Sequence, residues 1–291
     1  MSRHSEASSP ADVEIRDMTL DDVGAALRLC RLSGWNQVEH DWLLFMQVNA
    51  NGCRVAEKKG RVVGTVATVT YQDRFSWIAM MLVDPQERRT GIGTRLLREG
   101  LSVLNTQSSI RLDATPLGRQ LYRREGFKDE YSLARMTIKA ESKIAGARDG
   151  KVRPMTEADL PEVLEFDVQV FGANREMLLR NLFERAPNYA FISGISEIEG
   201  YCFGRQGYLY EQIGPIVAKD EEIARDLVSN RLASLNSSSC MIDTPRHPSW
   251  IDWLGSQGFV DARSFTRMYR GDKPNPGRPE CTFGILGPEF G

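Results

Sequence analysis

The hydrophobic positions of this chain change period several times, and each change predicts an element. From Leu20 to Leu32 the residues Leu20, Val23, Leu27 and Cys30 recur at helical spacing, and a second helix is predicted over roughly 38–48. Strand patterns follow at 53–59 (CRVAEKK), 61–72 (RVVGTVATVTYQ) and 75–84 (FSWIAMMLVD), the first two joined by a hairpin turn at Lys-Lys-Gly. A helix is predicted from about Gly91 to Leu104. Leu97, Leu101 and Leu104 form one row on it, and Ile92 and Leu96 a second. After the strand IRLDA (110–114), Thr115-Pro116 supplies a capping hydroxyl and a first-turn proline; that helix stops at Gly126, and Phe127 opens the last strands. The order β-α-α-β-β-β-α-β-α-β-β puts antiparallel strands first and β-α-β crossovers later. It predicts an α/β protein with a sheet of mixed direction.

The pattern then recurs. Arg16, Met18, Thr19 and Asp22 return as Arg153, Met155, Thr156 and Asp159, each set reading as a short strand, a threonine cap and a helix. LDATP (112–116) returns as IDTP (242–245), EGF (125–127) as QGF (257–259), and YSLARMTIK (131–139) resembles RSFTRMYRG (263–271). Matches in the same order imply one fold used twice. The copies are expected at 13–139 and 151–291, joined by a small, polar linker at 140–150.

A length of 291 residues suits two domains, and 41% hydrophobic with 26% charged residues is the composition of a soluble globular protein. A net charge of −2 gives no general attraction to nucleic acid or anionic membrane, and no basic stripe with interleaved aromatics appears. Five isolated cysteines and three histidines fit neither a disulfide framework nor zinc spacing, so no metal is expected. The polar N-terminus has no signal-peptide run and no stretch is long enough to span a membrane, which predicts a cytoplasmic protein.

With so little net charge, any positive site must be local, and ERRTGIGTRLL (87–97) is one. It lies between a predicted strand and helix. The helix start offers unpartnered N–H groups, and Gly91 and Gly93 let them approach an anion closely. Arg88 and Arg89 add charge and Thr94 a hydroxyl. A Walker loop fails because Thr94-Arg95 follows Gly93, and a dinucleotide fingerprint fails because position 96 is Leu. What remains is [QR]-x-x-G-x-[GA], filled by Arg88, Gly91 and Gly93. With VDP before it, a leucine-rich helix after it and LYRREGF (121–127) downstream, this resembles the pyrophosphate loop of the GNAT superfamily, the Gcn5-related N-acetyltransferases. The resemblance covers most of 13–139.

It implies two tandem GNAT-like domains, each a mixed, largely antiparallel twisted sheet flanked by helices. It also implies acetyl-CoA as co-substrate. The backbone of Met81, Leu82 and Val83 would hold the pantetheine arm, and Arg88, Arg89, Thr90, Gly91, Ile92, Gly93 and Thr94 the pyrophosphate. Tyr122 falls at the family position of the general acid that protonates the thiolate; its ordinary pKa of about 10 is near that of a thiol. The base is not readable. Asp113 is equally placed to cap the helix after Thr115, Glu39, His40 and Asp41 depend on the family layout, and a water chain would also serve. The implied activity is N-acetylation of a primary amine on a small molecule, amino acid or peptide. The alternatives are an acetyl-CoA sensor or scaffold without turnover, and O-acylation or a longer acyl donor.

In the second copy the matching turn reads KDEEIA (219–224). Its glycines are gone, and Asp220, Glu221 and Glu222 stand where a pyrophosphate would lie. Each like-charge pair at ~4 Å costs on the order of 4 kcal/mol at an effective dielectric of 20. Leu254 falls where Tyr122 stood. RMYRG (267–271) and GPEFG (287–291) resemble the second module of certain two-domain GNAT proteins. The second domain is therefore expected not to bind acetyl-CoA, and to shape the acceptor pocket or pack against the first. Trp250 and Trp253, at i and i+3, read as core rather than interface.

Overall fold

The computed structural model describes residues 12–139, 151–234, 239–273 and 277–291; the linker expected at 140–150 lies outside them. The first copy runs β1 (Val13–Asp17), α1 (Val23–Leu32), α2 (Glu39–Val48), β2 (Arg54–Lys58), β3 (Arg61–Tyr71), β4 (Phe75–Val83), α3 (Ile92–Val103), β5 (Ser109–Ala114), α4 (Pro116–Arg124) and β6 (Lys128–Ile138). The second repeats that order: β7 (Val152–Pro154), α5 (Leu160–Phe171), α6 (Glu176–Arg185), β8 (Phe191–Ser193), β9 (Gly200–Arg205), β10 (Glu211–Ala218), α7 (Glu221–Ala233), β11 (Cys240–Pro245), α8 (Pro248–Ser256) and β12 (Val260–Gly271). A short β13 (Thr282–Gly284) follows. No helix among the described residues is long and apolar enough to cross a membrane.

The recurring R-x-M-T-x-x-D string has one physical meaning in both copies. Arg16 forks the Asp22 carboxylate at 2.8 and 2.9 Å, and Asp22 also accepts the Thr19 N–H and hydroxyl. Arg153, Thr156 and Asp159 repeat the arrangement at the entry to α5. The acidic residue satisfies orphan donors at a helix entry, and the arginine ties that entry to the preceding strand.

The chain packs as two compact units that do not coincide with the copies. Of the described residues, one holds 12–69 together with Ile78–Thr106; the other holds Thr70–Trp77 and those from Gln107 onward. In the first unit β1, β2, β3 and β4 lie in that order. β2 and β3 meet through a two-residue turn, Lys59 and Gly60, both at positive φ as such hairpins require. Helix α3 buries Ile92, Leu96, Leu97 and Gly100, with Leu104 just beyond its end, whereas Leu101 is only half-buried. The expected leucine row is displaced because two glycines set the contact. A Cβ on Gly64 of β3 would stand 2.7 Å from Leu96, and one on Gly100 would stand 3.3 Å from Val66.

In the second unit the order is β5-β12-β6-β11-β10-β9-β8-β7, with β13 against β10 and the β4 residues Ser76 and Trp77 paired parallel to β5. The copies are interleaved here. β12, the last strand of the second copy, lies antiparallel between β5 and β6 of the first; β6 lies antiparallel against β11 of the second. This accounts for a departure from the sequence reading. Each copy ends in one long strand rather than two, because its neighbour in the sheet comes from the other copy.

Two buried ion pairs lock the exchange. Arg267 sits opposite Asp113 in register and forks its carboxylate at 2.9 and 2.8 Å; Arg135 sits opposite Asp243 and does the same at 2.8 and 2.8 Å. These residues come from the repeated strings LDA/IDT and ARM/TRM. The repeat thus marks a contact each copy makes with the other, not one it makes with itself. The expected core role of Trp250 and Trp253 is found: they stack at 4.9 Å within the apolar cluster beneath β10 and β11.

Candidate functional site

β4 carries a local break. Met80 has a φ of 52°, far from strand values, and its carbonyl accepts the buried Thr65 hydroxyl at 2.7 Å. The kink re-aims the backbone of the three residues after it, the segment expected to hold a pantetheine arm. Leu82 turns its carbonyl to β3, 2.9 Å from where a Cβ on Gly64 would sit, and Asp84 donates its N–H to Val63 at 2.8 Å. Backbone groups alternate along a strand, so Met81 and Val83 aim theirs away from β3. The Val83 carbonyl accepts Arg88 Nε at 3.2 Å. Nothing in the residue types signals the Met80 kink, and the sequence reading missed it.

Beyond β4 the turn is held from below. Asp84 is buried and its carboxylate is bound by Arg28 and Arg61, each at 2.9 Å, while it caps a short 3-10 turn through Gln86 N–H. Burial pushes the Asp84 carboxyl up, but Arg28, the Gln86 N–H and Arg61 outweigh it and hold it below the ordinary carboxylate range. Lys58 pairs with Glu87 at 2.7 Å, and the Thr90 hydroxyl donates to the Glu87 carbonyl at 2.7 Å. Thr90 thus braces the turn with its side chain. Asp84, visible as the D of VDP, is the anchor the sequence reading noted only as context.

On this base stand the residues expected to meet an anion. Arg88 and Arg89 are exposed, Arg89 with a φ of 65°. Gly91 is the N-cap of α3 with a φ of 91°, where side chains are strained, and no atom lies within 4 Å of the place a Cβ would take. No side chain caps α3. The Ile92 side chain is buried, so that residue offers its N–H alone; Gly93 and Thr94 are half-exposed. The first backbone bond of the helix runs from Arg95 N–H to Gly91, leaving the N–H groups of 92–94 at the helix mouth. Left-handed entry, absent cap and paired arginines together fit a diphosphate.

The second copy solves the same junction differently. Asp220 is the N-cap of α7, in an extended conformation, and its carboxylate accepts Ile223 N–H at 2.9 Å. Glu221 is engaged by Arg225 and Ser249. One of the donors that α3 leaves at its mouth is met in α7 by the protein's own carboxylate.

Tyr122 lies in α4, which starts as expected: the Thr115 hydroxyl accepts Gly118 N–H at 3.3 Å, Pro116 follows, and Gly126 ends the helix at a φ of 90°. The ring packs edge-on against Phe127 at 6.0 Å, over Gly118, where a Cβ would stand 2.8 Å from it. Burial raises the phenol above its ordinary pKa, so it keeps its proton at neutral pH and is a donor. In α8 the matching Leu254 is fully buried.

Two of the residues considered as bases, Asp113 and Asp41, are otherwise employed. Asp113 neither caps α4 nor stands free, since Arg267 holds both its oxygens. Burial works against the Arg267 guanidinium, but Asp113 beside it prevails and holds it charged. Asp41 accepts Val38 N–H at 2.8 Å at the start of α2. Glu39 is exposed and His40 half-buried. All five cysteines are buried, and burial pushes Cys53, Cys202 and Cys240 up to about 12, so these thiols are inert.

A strand broken by a kink thus leads through a braced basic turn into an uncapped, glycine-led helix. The sequence matches the Acetyltransferase (GNAT) domain twice, at residues 49–129 and 163–284, together more than half of the chain. It belongs to the GNAT superfamily, with two such domains in tandem. A holothin acyltransferase of Pseudoalteromonas sp. (strain SANK 73390) is 26% identical over 246 residues, covering 82% of each chain. A putative acetyltransferase from Pyrococcus horikoshii superposes with a TM-score of 0.81 at 23% identity over 100% of both chains. A tandem GNAT protein from the clavulanic acid biosynthesis pathway gives 0.62 at 14% identity, covering 91% of this chain and 100% of that one. Family and sequence relative place the chain among the acyltransferases; the structural likenesses speak for the fold.

Proposed function

We propose that this protein is an acetyl-CoA-dependent N-acetyltransferase with one active copy, the first, acting on a primary amine of a small molecule, amino acid or peptide. The observation that carries this reading is the uncapped, glycine-led entry to α3 beside Arg88 and Arg89, set against the Asp220-capped entry to α7. The name of the holothin acyltransferase relative supports acyl transfer as the reaction. Acetyl-CoA would supply an activated acetyl thioester and a thiol leaving group.

The protein's own part follows from its groups. Arg88, Arg89 and the N–H groups of Ile92, Gly93 and Thr94 would hold the diphosphate, and Met81 and Val83 the amide arm. A main-chain N–H of the kinked strand would stabilise charge building on the carbonyl oxygen. Tyr122, still protonated at neutral pH, would return a proton to the departing thiolate. With the Asp113 carboxylate committed to Arg267, the amine proton would leave through water to bulk solvent.

The test is thiol release from acetyl-CoA across a panel of amines. Release with at least one amine is expected. Tyr122→Phe should lower turnover roughly hundredfold, the scale of a general acid, while leaving the dissociation constant for CoA unchanged. Turnover unaffected by that change would remove Tyr122 from the mechanism, and no release with any amine would remove the activity.

A further inference from the structure

The second copy contains an opening in its sheet, and the chain itself fills it. β10 and β11 pair in parallel only at Glu211↔Cys240 and Gln212↔Met241. Past that point β10 bulges at Gly214-Pro215, its register against β9 shifting between Ile213 and Ile216. Diverging strands expose main-chain donors and acceptors that need a partner. β13 provides it. Gly284 pairs with Ile216 and Thr282 with Val217, while Ile285 N–H donates to the Asp243 carbonyl on β11 at 2.8 Å. The inserted segment therefore bonds to both walls of the opening.

The fit is close. A Cβ on Gly284 would stand 2.7 Å from the end of the Ile216 side chain, and one on Gly214 would stand 2.2 Å from the Ile285 carbonyl oxygen, where only glycine fits. Phe283 packs edge-on against Trp250 at 5.4 Å, and the Thr282 carbonyl lies 3.2 Å from His247 Nε2. The Gln212 side chain donates to the Leu286 carbonyl at 2.9 Å.

Val217 turns its carbonyl toward Gly200 as Leu82 does toward Gly64, and Lys219 N–H donates to Glu199 as Asp84 N–H does to Val63. Ile216 and Val217 are therefore the repeat counterparts of Met81 and Leu82, in the segment that would meet pantetheine in the first copy. We propose that residues 282–286 are a built-in substitute for the pantetheine arm: a peptide strand occupies the second copy's coenzyme cleft, so the chain carries one coenzyme site. A peptide and a pantetheine arm offer the same thing to a strand edge, spaced amides on a slender chain. This rests on the reading of the first copy as the coenzyme site.

The test is hydrogen exchange by mass spectrometry on the full chain, with and without CoA, alongside calorimetric stoichiometry. In coenzyme-free protein, 214–218 and 282–286 should both exchange as slowly as the central strands β6 and β12. CoA should bind once per chain and slow exchange in 78–94 alone. Ile285→Pro, which removes the N–H given to Asp243, should speed exchange in 214–218 while leaving the CoA-dependent change in 78–94 intact. Fast exchange of 282–286 in the free protein, two CoA per chain, CoA protection of 214–218, or no response of 214–218 to Ile285→Pro would each overturn the proposal. Failure of the first-copy reading looks different: 78–94 would not respond to CoA, while 282–286 stayed protected.

Discussion

At the scale of single residues, the same carboxylate chemistry serves opposite ends in the two copies. Asp220 closes the mouth of α7; nothing closes that of α3. Thr94, in the first turn of α3 and half-exposed, is therefore the informative position. Thr94→Asp adds a charge that favours a helix start and opposes a phosphate. It should leave the melting temperature unchanged or slightly raised while weakening CoA binding at least a hundredfold, read by calorimetry; retained affinity would place the diphosphate elsewhere. The Arg267–Asp113 pair gives a second expectation. Removing one member of a buried pair strands the other charge, so Arg267→Leu should cost about 3–5 kcal/mol in urea melts. Adding Asp113→Leu should recover most of that, because an apolar pair of similar volume needs no compensation. A double variant no more stable than Arg267→Leu alone would mean that the guanidinium's ring contacts with Trp77 and Tyr131, at 4.8 and 5.3 Å, carry the stability instead.

At the scale of elements, what could be read beforehand was what depends on local sequence. The helix entries at Thr115-Pro116 and at Asp22, the Lys59-Gly60 turn and the glycine-led start of α3 follow from residues adjacent in the chain. The Met80 kink was not legible, because it answers a buried hydroxyl fifteen positions away. Nor was the shift of the α3 face, which depends on Gly64 of another strand. The entry to α1 also carries a pH signature. Arg16 and then Thr19 hold the Asp22 carboxyl down to about 2, against the upward push of burial. A folded-state value below the unfolded one contributes stability that is present above the ordinary carboxyl range and lost as pH falls from about 4 toward 2. Asp22→Asn should therefore lower stability at pH 7 by about 1 kcal/mol, the usual cost of a lost helix cap. The gap to the natural protein should narrow as the pH approaches 2. Melting temperatures of both proteins from pH 7 to pH 2.5 decide it; a constant gap would assign the loss to packing rather than to charge.

At the scale of the molecule, a repeat in sequence had implied two domains joined by a linker, but strand exchange makes the sequence repeat and the compact unit different objects. β12 is hydrogen-bonded on both sides by strands of the first copy, and β6 by two strands of the second. An exchanged strand leaves no local signal: ARM and TRM read the same whichever sheet they join. The consequence is testable without any ligand. Residues 1–145 expressed alone would contain β5 and β6 without the strand that lies between them, leaving two long edges and an unpaired Asp113. Residues 146–291 alone would lack the partner of β11 and bury Asp243 without Arg135. Each half should aggregate or stay unfolded when made separately, since open edges recruit other chains. Co-expressed, the halves should associate into a stable complex, because the exchanged strands need no covalent join at 140–150. A first half that folds alone as a monomer and binds CoA would show that the exchange is dispensable to the coenzyme site, and would return the second copy to an appended domain.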